Sequence, residues 1–404
     1  MKWEKAADRT AKAGSAGEVF LAFLKLGLTS FGGPIAHLGY FRDELVIRRR
    51  WIDEAGYADL VALCQFLPGP ASSQVGFALG LLRGGLAGAL AAFTAFTLPS
   101  AVLLVVFAMG ATAFGGPVGG GLLHGLKLVA VAVVAQAVWG MARSLTPDRE
   151  RASIALAAVL IVVFSGSAAG QMTAIALGGI AGLVLCRTDC TGPAPRLAFR
   201  LPRGTGFMCL TLFLVLLACL PLASAASGWQ GLALFDAFYR AGALVFGGGH
   251  AVLPLLQAEL VPDFVTNDQF LAGYGAAQAV PGPLFTFAAY LGAVTGPDPS
   301  GVAGAAIALA AIFLPGFLLL LGMLPFWDRF RAMPAAQAAM RGANAAVVGI
   351  LAAALHDPVW TSAILSPGDF ALALAGFVLL AAWKAPPWAV VLLLAIGGAG
   401  LASA

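Results

Sequence analysis

Charged side chains are scarce in this chain, and that scarcity decides its class. Asp, Glu, Lys and Arg make up 10% of the residues, against roughly 25% in soluble domains, while hydrophobic residues make up 60%. So few charges cannot cover a water-exposed surface, which excludes a soluble globular enzyme. Most of the 404 residues are therefore predicted to lie in lipid.

Other absences narrow the function. Cysteines are few, with neither the number nor the spacing of a disulfide framework or a zinc site, so no metal or cofactor is expected. No Gly-x-x-x-x-Gly-Lys-Ser/Thr run occurs, which excludes ATP hydrolysis by a P-loop. The net charge of +4 is no nucleic-acid signature. Segment 1–16 begins with mixed charges, unlike a cleaved signal peptide, and is interpreted as a cytoplasmic leader.

Long apolar runs are what the chain has instead. Three of them approach the roughly 20 residues that cross a hydrocarbon core: 86–114, 122–141 and 207–222. Four shorter ones are predicted to cross as tilted helices: 154–165, 173–186, 370–383 and 388–401. The predicted fold is an all-α polytopic membrane protein with roughly 10–14 membrane segments.

One unit occurs twice. The first copy carries Phe31-Gly32-Gly33-Pro34, then Glu44, then Gln65-Phe66-Leu67-Pro68-Gly69-Pro70. The second carries Phe246-Gly247-Gly248-Gly249, then Glu259, then Gln278-Ala279-Val280-Pro281-Gly282-Pro283. The alignment extends outward, because Lys25 falls on Arg240 and Leu98-Pro99 falls on Leu314-Pro315. A duplicated unit with Gly and Pro breaks in apolar segments is typical of a secondary transporter with a midplane site.

The two copies are predicted to face opposite ways. Lys and Arg collect in cytoplasmic loops, and three pairs of equivalent loops differ in this respect. In the first half, loops 42–50 and 143–151 contain several Arg residues, whereas their equivalents in the second half, 256–268 and 356–369, contain no Lys or Arg. For the third pair the charge is reversed, because 115–121 of the first half is uncharged and its equivalent 327–341 contains Arg residues. We therefore predict inverted repeats at 17–186 and 231–404. A basic cytoplasmic linker with an extra span near 207–222 joins them, within 187–230.

The same charges predict broken or re-entrant helices. Each half would hold two hairpins that fold back at its Gly-Gly and Pro-Gly-Pro breaks, because the arms of about 12–16 residues are too short to cross a core of roughly 30 Å. Proline suits the first position of a helix, so the helix-break residues are predicted to be Pro34, Pro68, Pro70, Pro281 and Pro283. The four apexes should meet inside the membrane.

A half-helix N-terminus attracts anions, and several predicted substrate-binding residues surround these breaks. Lys25 and Arg240 lie in apolar runs, where a cation usually faces a cavity, a partner or a ligand. Snorkelling to the interface is the alternative, and Arg240 could also pair with Asp236 one turn earlier. The other predicted substrate-binding residues are Gly32, Gly33, Gln65, Ser72, Ser73, Gly247, Gly248 and Gln278. Tetrahedral oxyanions fit such a site because their oxygens accept several donors.

Four residues near the breaks are candidates for proton coupling. His37 and His250 follow the breaks and could titrate near neutral pH, although capping or packing roles are equally compatible. Glu44 and Glu259 are the candidate carboxylates, with a surface ion pair beside Arg42 and Arg48 as the alternative for Glu44.

The residues that follow the breaks complete a resemblance. With His37-Leu38-Gly39-Tyr40-Phe41, Trp51 and Tyr57-Ala58-Asp59-Leu60, the two copies of the motif make nearly the whole chain similar to the chromate ion transporter family. The resemblance implies a plasma-membrane protein, with its N-terminus in the cytoplasm, that exports chromate and confers resistance. The membrane potential or proton gradient would drive it, and sulfate would compete.

Rival readings remain open from the residues alone. A transporter of sulfate or another oxyanion would need the same donors. A membrane-embedded enzyme on phosphorylated lipids would need acidic metal sites inside the spans, and Asp236 is the exception in a chain nearly without intramembrane acid. A channel is disfavoured by inverted repeats with broken helices. The expected partners are the anion and the lipid bilayer, with a homodimer left open and no nucleic acid.

Overall fold

The computed structural model describes residues 14–111, 116–165, 168–186, 201–246, 249–330 and 333–403. The predicted leader and basic linker fall largely on residues 1–13 and 187–200, which lie outside this description. Within the described residues the chain is helical and has no strands. Five helical stretches are long and apolar enough to span a membrane, so the prediction of an all-α polytopic membrane protein is confirmed.

The first half and the connecting helix contribute eight α-helices and one π-helical segment. In order, these are α1 (Ala16–Thr29), α2 (Gly33–Phe41), the π-helical segment Arg42–Arg48, α3 (Glu54–Phe66), α4 (Ala71–Ala111), α5 (Gly116–Leu145), α6 (Arg149–Ser165), α7 (Ala168–Leu185) and α8 (Arg203–Ser227).

The second half follows the same order with more interruptions. It contains α9 (Gln230–Leu244), the 3-10 turn Gly249–Ala251, α10 (Val252–Leu260), α11 (Asn267–Ala277), the 3-10 turn Leu284–Thr286, α12 (Phe287–Val294), α13 (Gly301–Met323), the 3-10 turn Leu324–Phe326, α14 (Trp327–Phe330), α15 (Pro334–Ala354), the π-helical segment Leu355–Trp360, α16 (Thr361–Ala363), α17 (Pro367–Ala381) and α18 (Pro387–Ser403).

The helices around the breaks are short, as the sequence predicted. Helix α1 has 14 residues and α3 has 13, which gives roughly 20 Å of helix each, less than a hydrocarbon core of roughly 30 Å. Side-chain caps fix where they begin: the Ser15 hydroxyl accepts from the Glu18 amide, and the Asp53 carboxylate accepts from the Gly56 amide. Helix α1 then ends at the Gly32-Gly33 break, where both glycines have positive φ.

Helix α4 is two antiparallel arms rather than one straight span. Gly84 and Gly85 leave the helical region, with φ of +62° at Gly85, and the chain reverses there. A side chain on Gly80 would lie 2.9 Å from the Cα of Ala89 and 2.8 Å from the Cβ of Ala92. Only the absence of a Cβ lets the arms approach so closely. The first arm runs from the Pro-Gly-Pro break back to Arg83, as the second arm of the hairpin predicted there, and the second arm of α4 lies in the apolar span predicted over 86–114.

The two halves interlock through their long helices. Helix α5 of the first half packs against α17 and α18 of the second, and α15 of the second packs against α6 and α7 of the first. Nε2 of His124 lies 2.8 Å from the Asp369 carboxylate on α17, and Lys127 forms an ion pair of 2.8 Å with Asp268 on α11, another helix of the second half. Helix α8 stands at the edge against α9 and α13 with exposed apolar side chains such as Phe207 and Leu222, suited to lipid contact.

Two neighbouring glycines on α7 test this interlock. A Cβ on Gly182 would lie 2.9 Å from the Cα of Gly342 on α15, whereas one on Gly179 would meet only the Ala339 carbonyl oxygen at 3.7 Å. We expect Gly182→Ala to destabilise the folded protein by about 1–3 kcal/mol through overpacking. Gly179→Ala is the matched control and should be neutral or stabilising, since alanine favours helix. Thermal unfolding of both variants in detergent measures this; equal midpoints would contradict the close contact.

Candidate functional site

The breaks of the two halves meet and exchange backbone hydrogen bonds. The Gly69 amide donates to the Val245 carbonyl at 2.8 Å, and the Gly282 amide donates to the Ser30 carbonyl at 2.9 Å. Gly69 and Gly282 are the middle residues of the two Pro-Gly-Pro breaks, and Val245 and Ser30 are the equivalent residues that end α9 and α1. Each Pro-Gly-Pro break is therefore hydrogen-bonded to the residue that ends the helix before the Gly-Gly break of the other half.

The geometry explains why glycine occupies both positions. Gly69 has φ of +115° and Gly282 has φ of +102°, a region that residues with a Cβ rarely adopt. Pro34 and Gly249, which are equivalent in the two copies, also touch: a Cβ on Gly249 would lie 3.1 Å from Cγ of Pro34. Equivalent residues of the two copies therefore meet at this junction.

A small cavity lies at this junction, lined by both halves. Its lining includes Gly32 and Gly33 from the first half and His250, Gln278 and Gly282 from the second, completed by Ala277, Val280, Leu284 and Pro387. Its volume of about 20 Å³ has room for about one water molecule. The site is therefore closed to a five-atom oxyanion in this conformation and must open to admit one.

The structure thus brings together four of the predicted site residues, Gly32, Gly33, Gln278 and His250. His250 is oriented by a hydrogen bond of 2.7 Å between its Nδ1 and the Tyr274 hydroxyl. Gly247 and Gly248 lie outside the described residues.

Other predicted residues lie elsewhere. Ser72 and Ser73 are buried in the first turn of α4, where the Ser72 hydroxyl lies 3.4 Å from Nδ1 of the buried His37. Gln65 is exposed on α3 and does not line the cavity.

The predicted break prolines lie at or beside helix starts or in the connecting turns. Pro34 is in the first turn of α2, Pro70 directly precedes α4, and Pro283 precedes the 3-10 turn that leads into α12. Pro68 and Pro281 occupy the turns between. A glutamine that the sequence reading missed secures the first Pro-Gly-Pro break: the Gln74 amide nitrogen donates to the carbonyls of Pro68 and Gly316, at 3.0 and 2.9 Å.

The two candidate cations sit in equivalent ion pairs. Nζ of Lys25 lies 2.8 Å from Glu44, and the guanidinium of Arg240 lies 2.7 Å from Glu259. Both carboxylates are mostly buried, at 10% and 12% side-chain exposure, while the cations are 52% and 30% exposed. Each pair closes the first hairpin of its half. The sequence analysis assigned the cations to substrate binding and the carboxylates to proton coupling, whereas in the structure each cation is paired with one of these carboxylates.

The pairs differ in their neighbours. Glu44 also binds Arg49 at 2.9 Å, in a basic surface cluster with Arg48, whereas Arg240 also binds Asp236 at 3.1 Å on its own helix. The carboxylate is therefore shared between cations in the first half, and the cation is shared between carboxylates in the second. The signal that would have found both pairs is their identical separation of 19 residues.

The described residues contain no cluster of side chains suited to binding a metal ion. Across the described ranges, no three His, Cys, Asp or Glu side chains come together in a way that could hold a metal ion.

Comparison of the sequence with known protein families identifies the family of this chain. The family described as Chromate transporter matches the chain twice, over residues 17–183 and 232–401. The chain belongs to the chromate transporter family. The two matches cover the two copies of the motif and leave α8 between them.

Named relatives of this family member align with most of its length. The chromate transport protein of Pseudomonas aeruginosa is 30% identical, over 98% of this chain and 95% of that protein. The probable chromate transport protein of Synechococcus elongatus is 31% identical over 82% of each chain. The chromate transport protein of Cupriavidus metallidurans is 28% identical, over 84% of this chain and 81% of that one. No solved structure matches the chain.

Proposed function

We propose that this protein exports chromate from the cytoplasm across the plasma membrane as a secondary transporter, and thereby confers chromate resistance. Family membership and relatives named as chromate transport proteins support the substrate class. The observation that carries the mechanism is the reciprocal crossing of the breaks, Gly69 to Val245 and Gly282 to Ser30, around a closed cavity lined by both halves.

The proposed topology follows the charge pattern. The leader 1–16 and the basic loop after α2 lie in the cytoplasm, and the repeats 17–186 and 231–404 cross the membrane in opposite directions. The linker 187–230 supplies a basic cytoplasmic segment and the extra span α8, which delivers the second repeat to the other face.

Alternating access then requires one half to move against the other around the breaks. Lys25 and Arg240 draw the anion toward the junction, where the cavity lined by Gly32, Gly33 and Gln278 opens to admit it. Glu44 and Glu259 hold the cations between transport events. Moving a charge across the membrane is worth roughly 2.3 kcal/mol per 100 mV, so export of a dianion from a negative interior is electrically downhill.

Everted membrane vesicles test the proposal. Vesicles containing the protein and control vesicles without it are energised by respiration, and chromate accumulation is measured with and without uncoupler and excess sulfate. We expect accumulation above the control that collapses with uncoupler and falls with sulfate. The same expression should raise the chromate concentration at which cells grow.

Sulfate is the second candidate substrate, because it is isosteric with chromate and accepts the same donors. Labelled sulfate accumulating where chromate does not would overturn the proposed substrate and keep the transport mechanism. If neither chromate nor sulfate accumulates above the control rate in any condition, the proposed substrate and the proposed transport mechanism are both overturned.

A further inference from the structure

Three buried hydroxyls of the first half have no hydrogen-bond partner among the described residues. They are Oγ of Ser30, Oγ of Ser73 and Oγ1 of Thr97, on residues that are 0%, 3% and 4% exposed. Buried hydroxyls are almost always hydrogen-bonded, so three orphans in one region of an apolar protein call for an explanation. Each can donate one hydrogen bond and accept others.

Contacts around the junction link two of these residues, Ser30 and Thr97. Ser30 ends α1 and accepts the Gly282 amide, and a Cβ on Gly282 would lie 2.9 Å from the Ser100 hydroxyl and 3.2 Å from the Phe96 carbonyl oxygen. The Ser100 hydroxyl in turn donates to the Thr97 carbonyl at 3.0 Å. Gly282 therefore touches Ser30 on one side and the Thr97 turn on the other, and it also lines the cavity.

The α4 hairpin brings Ser73 to the same level. Gly80 on the first arm faces Ala89 and Ala92 on the second. On the first arm, Ser73 lies about two helical turns from Gly80, away from the reversal at Gly84 and Gly85. On the second arm, Thr97 lies about two helical turns from Ala89, also away from the reversal. Ser73 and Thr97 therefore lie at the same level on the facing sides of the two antiparallel arms. Ser73 also lies in the first turn of α4, where backbone N–H groups and the positive helix end favour an anion.

The second half lacks this set at the equivalent positions. Val245 stands where the first half has Ser30, and Phe313 stands where it has Thr97; both are buried. Thr286 stands where it has Ser73, but its hydroxyl donates to the Pro283 carbonyl at 2.6 Å and is satisfied. Phe313 packs against Phe285 and Phe317, with ring centroids 5.8 and 6.0 Å apart. The second break is thus an apolar, filled copy of the first.

We propose that the oxyanion is bound by one half only: the hydroxyls of Ser30, Ser73 and Thr97 and the N-terminus of α4 hold a tetrahedral oxyanion when the halves separate at Gly282. The aromatic-filled break of the second half is the rigid counterpart against which this half-site opens and closes. This deepens the proposed function, on which it rests, by assigning the anion an asymmetric site within a symmetric fold.

Two threonines make a matched test. Thr97→Val and Thr286→Val each remove one buried hydroxyl with little change of volume; the Thr97 hydroxyl has no partner among the described residues, and the Thr286 hydroxyl already donates to the Pro283 carbonyl. Chromate and sulfate are used as separate probes, with binding to the purified protein measured by the ligand-dependent shift of thermal unfolding, and uptake measured in everted vesicles.

We expect Thr97→Val to weaken oxyanion binding about tenfold or more, because hydrogen bonds to a charged group are among the stronger ones. Thr97→Ser should restore binding, because it restores the hydroxyl. Thr286→Val should lower the unfolding temperature and leave the dissociation constant within about twofold of wild type. Ser30→Ala and Ser73→Ala should each weaken binding as Thr97→Val does.

The outcomes separate this inference from the proposed substrate. Sulfate binding that is lost in Thr97→Val, in a protein that neither binds nor moves chromate, would uphold the half-site and overturn chromate as substrate. Wild-type affinity in Thr97→Val, or equal losses in both threonine variants, would overturn the half-site. Absence of any oxyanion binding by the wild-type protein would overturn it as well.

Discussion

We expect Gly282→Ala to reduce transport at least about tenfold, because it acts at the point where the halves cross. Gly282 has φ of +102°, and holding a residue with a Cβ there costs roughly 1–3 kcal/mol. The new Cβ would also lie 2.9 Å from the Ser100 hydroxyl, so the turn must shift and the hydrogen bond to the Ser30 carbonyl must lengthen. Chromate uptake in everted vesicles, normalised to the amount of folded protein, measures the effect.

Gly140→Ala supplies the control for this prediction. Gly140 lies on α5 with nothing within 4 Å of its Cβ position and no positive φ, so alanine is accommodated there without strain. We expect wild-type uptake from that variant, and from Gly69→Ala a loss like that of Gly282→Ala, because Gly69 makes the reciprocal bond to Val245 at 2.8 Å. Wild-type uptake by both Gly69→Ala and Gly282→Ala would show that the hydrogen bonds between the breaks of the two halves are not needed for transport.

Much of the fold could be read from the chain because its signals are local. Glycines and prolines mark the breaks, and apolar length marks the spans. The reversal inside α4 was likewise predictable, because Arg83 precedes Gly84 and Gly85, and a charge beside two glycines marks a surface turn.

The pairing of the cations could not be read in the same way. Lys25 and Glu44 stand in different arms of a hairpin, and their contact depends on how the π-helical segment Arg42–Arg48 rotates the second arm. A π-helix shifts side-chain direction relative to an α-helix, so helical spacing gives no register there. The sequence therefore named both members of each pair and assigned them to separate tasks.

Ser73 was among the predicted substrate-binding residues, but the other two orphan hydroxyls, those of Ser30 and Thr97, were missed for a different reason. Ser30 and Thr97 are single hydroxyls in apolar surroundings, and neither belongs to a spacing pattern. Comparison of the two copies is the signal that would have found them, because a repeat that exchanges Thr97 for Phe313 has changed chemistry at a position where the backbone is the same. In a duplicated chain, each copy can be compared with the other, and the positions where they differ are as informative about function as the motif that they share.

The second prediction with a large effect concerns the equivalent cations. We expect Lys25→Ala and Arg240→Ala each to abolish transport while the protein remains in the membrane, because the anion then loses the positive charge that draws it to the junction. Chromate uptake and the amount of folded protein are measured in the same vesicles. Wild-type uptake by both variants would eliminate the cations from substrate recognition.

Loss of Arg240 also leaves two mostly buried carboxylates, Glu259 and Asp236, without their cation, and breaking a buried pair costs roughly 3–5 kcal/mol. Loss of Lys25 costs less, because Glu44 keeps its pair with Arg49 at 2.9 Å. A second set of variants therefore removes the pair as a whole. Lys25→Ala with Glu44→Gln, and Arg240→Ala with Glu259→Gln, leave no unpaired Glu at either site, although Asp236 still faces the second. These proteins should recover most of the stability that the single cation variants lose.

Transport by the paired variants decides what the cations do. If Lys25 serves only to neutralise Glu44, the paired variant recovers uptake together with stability, and a charge-free pair suffices. If Lys25 attracts the anion, stability returns and uptake does not. We expect the second result in both halves, because the cations are 52% and 30% exposed while their carboxylates are 10% and 12% exposed. The positive group of each pair is the one that an arriving anion meets.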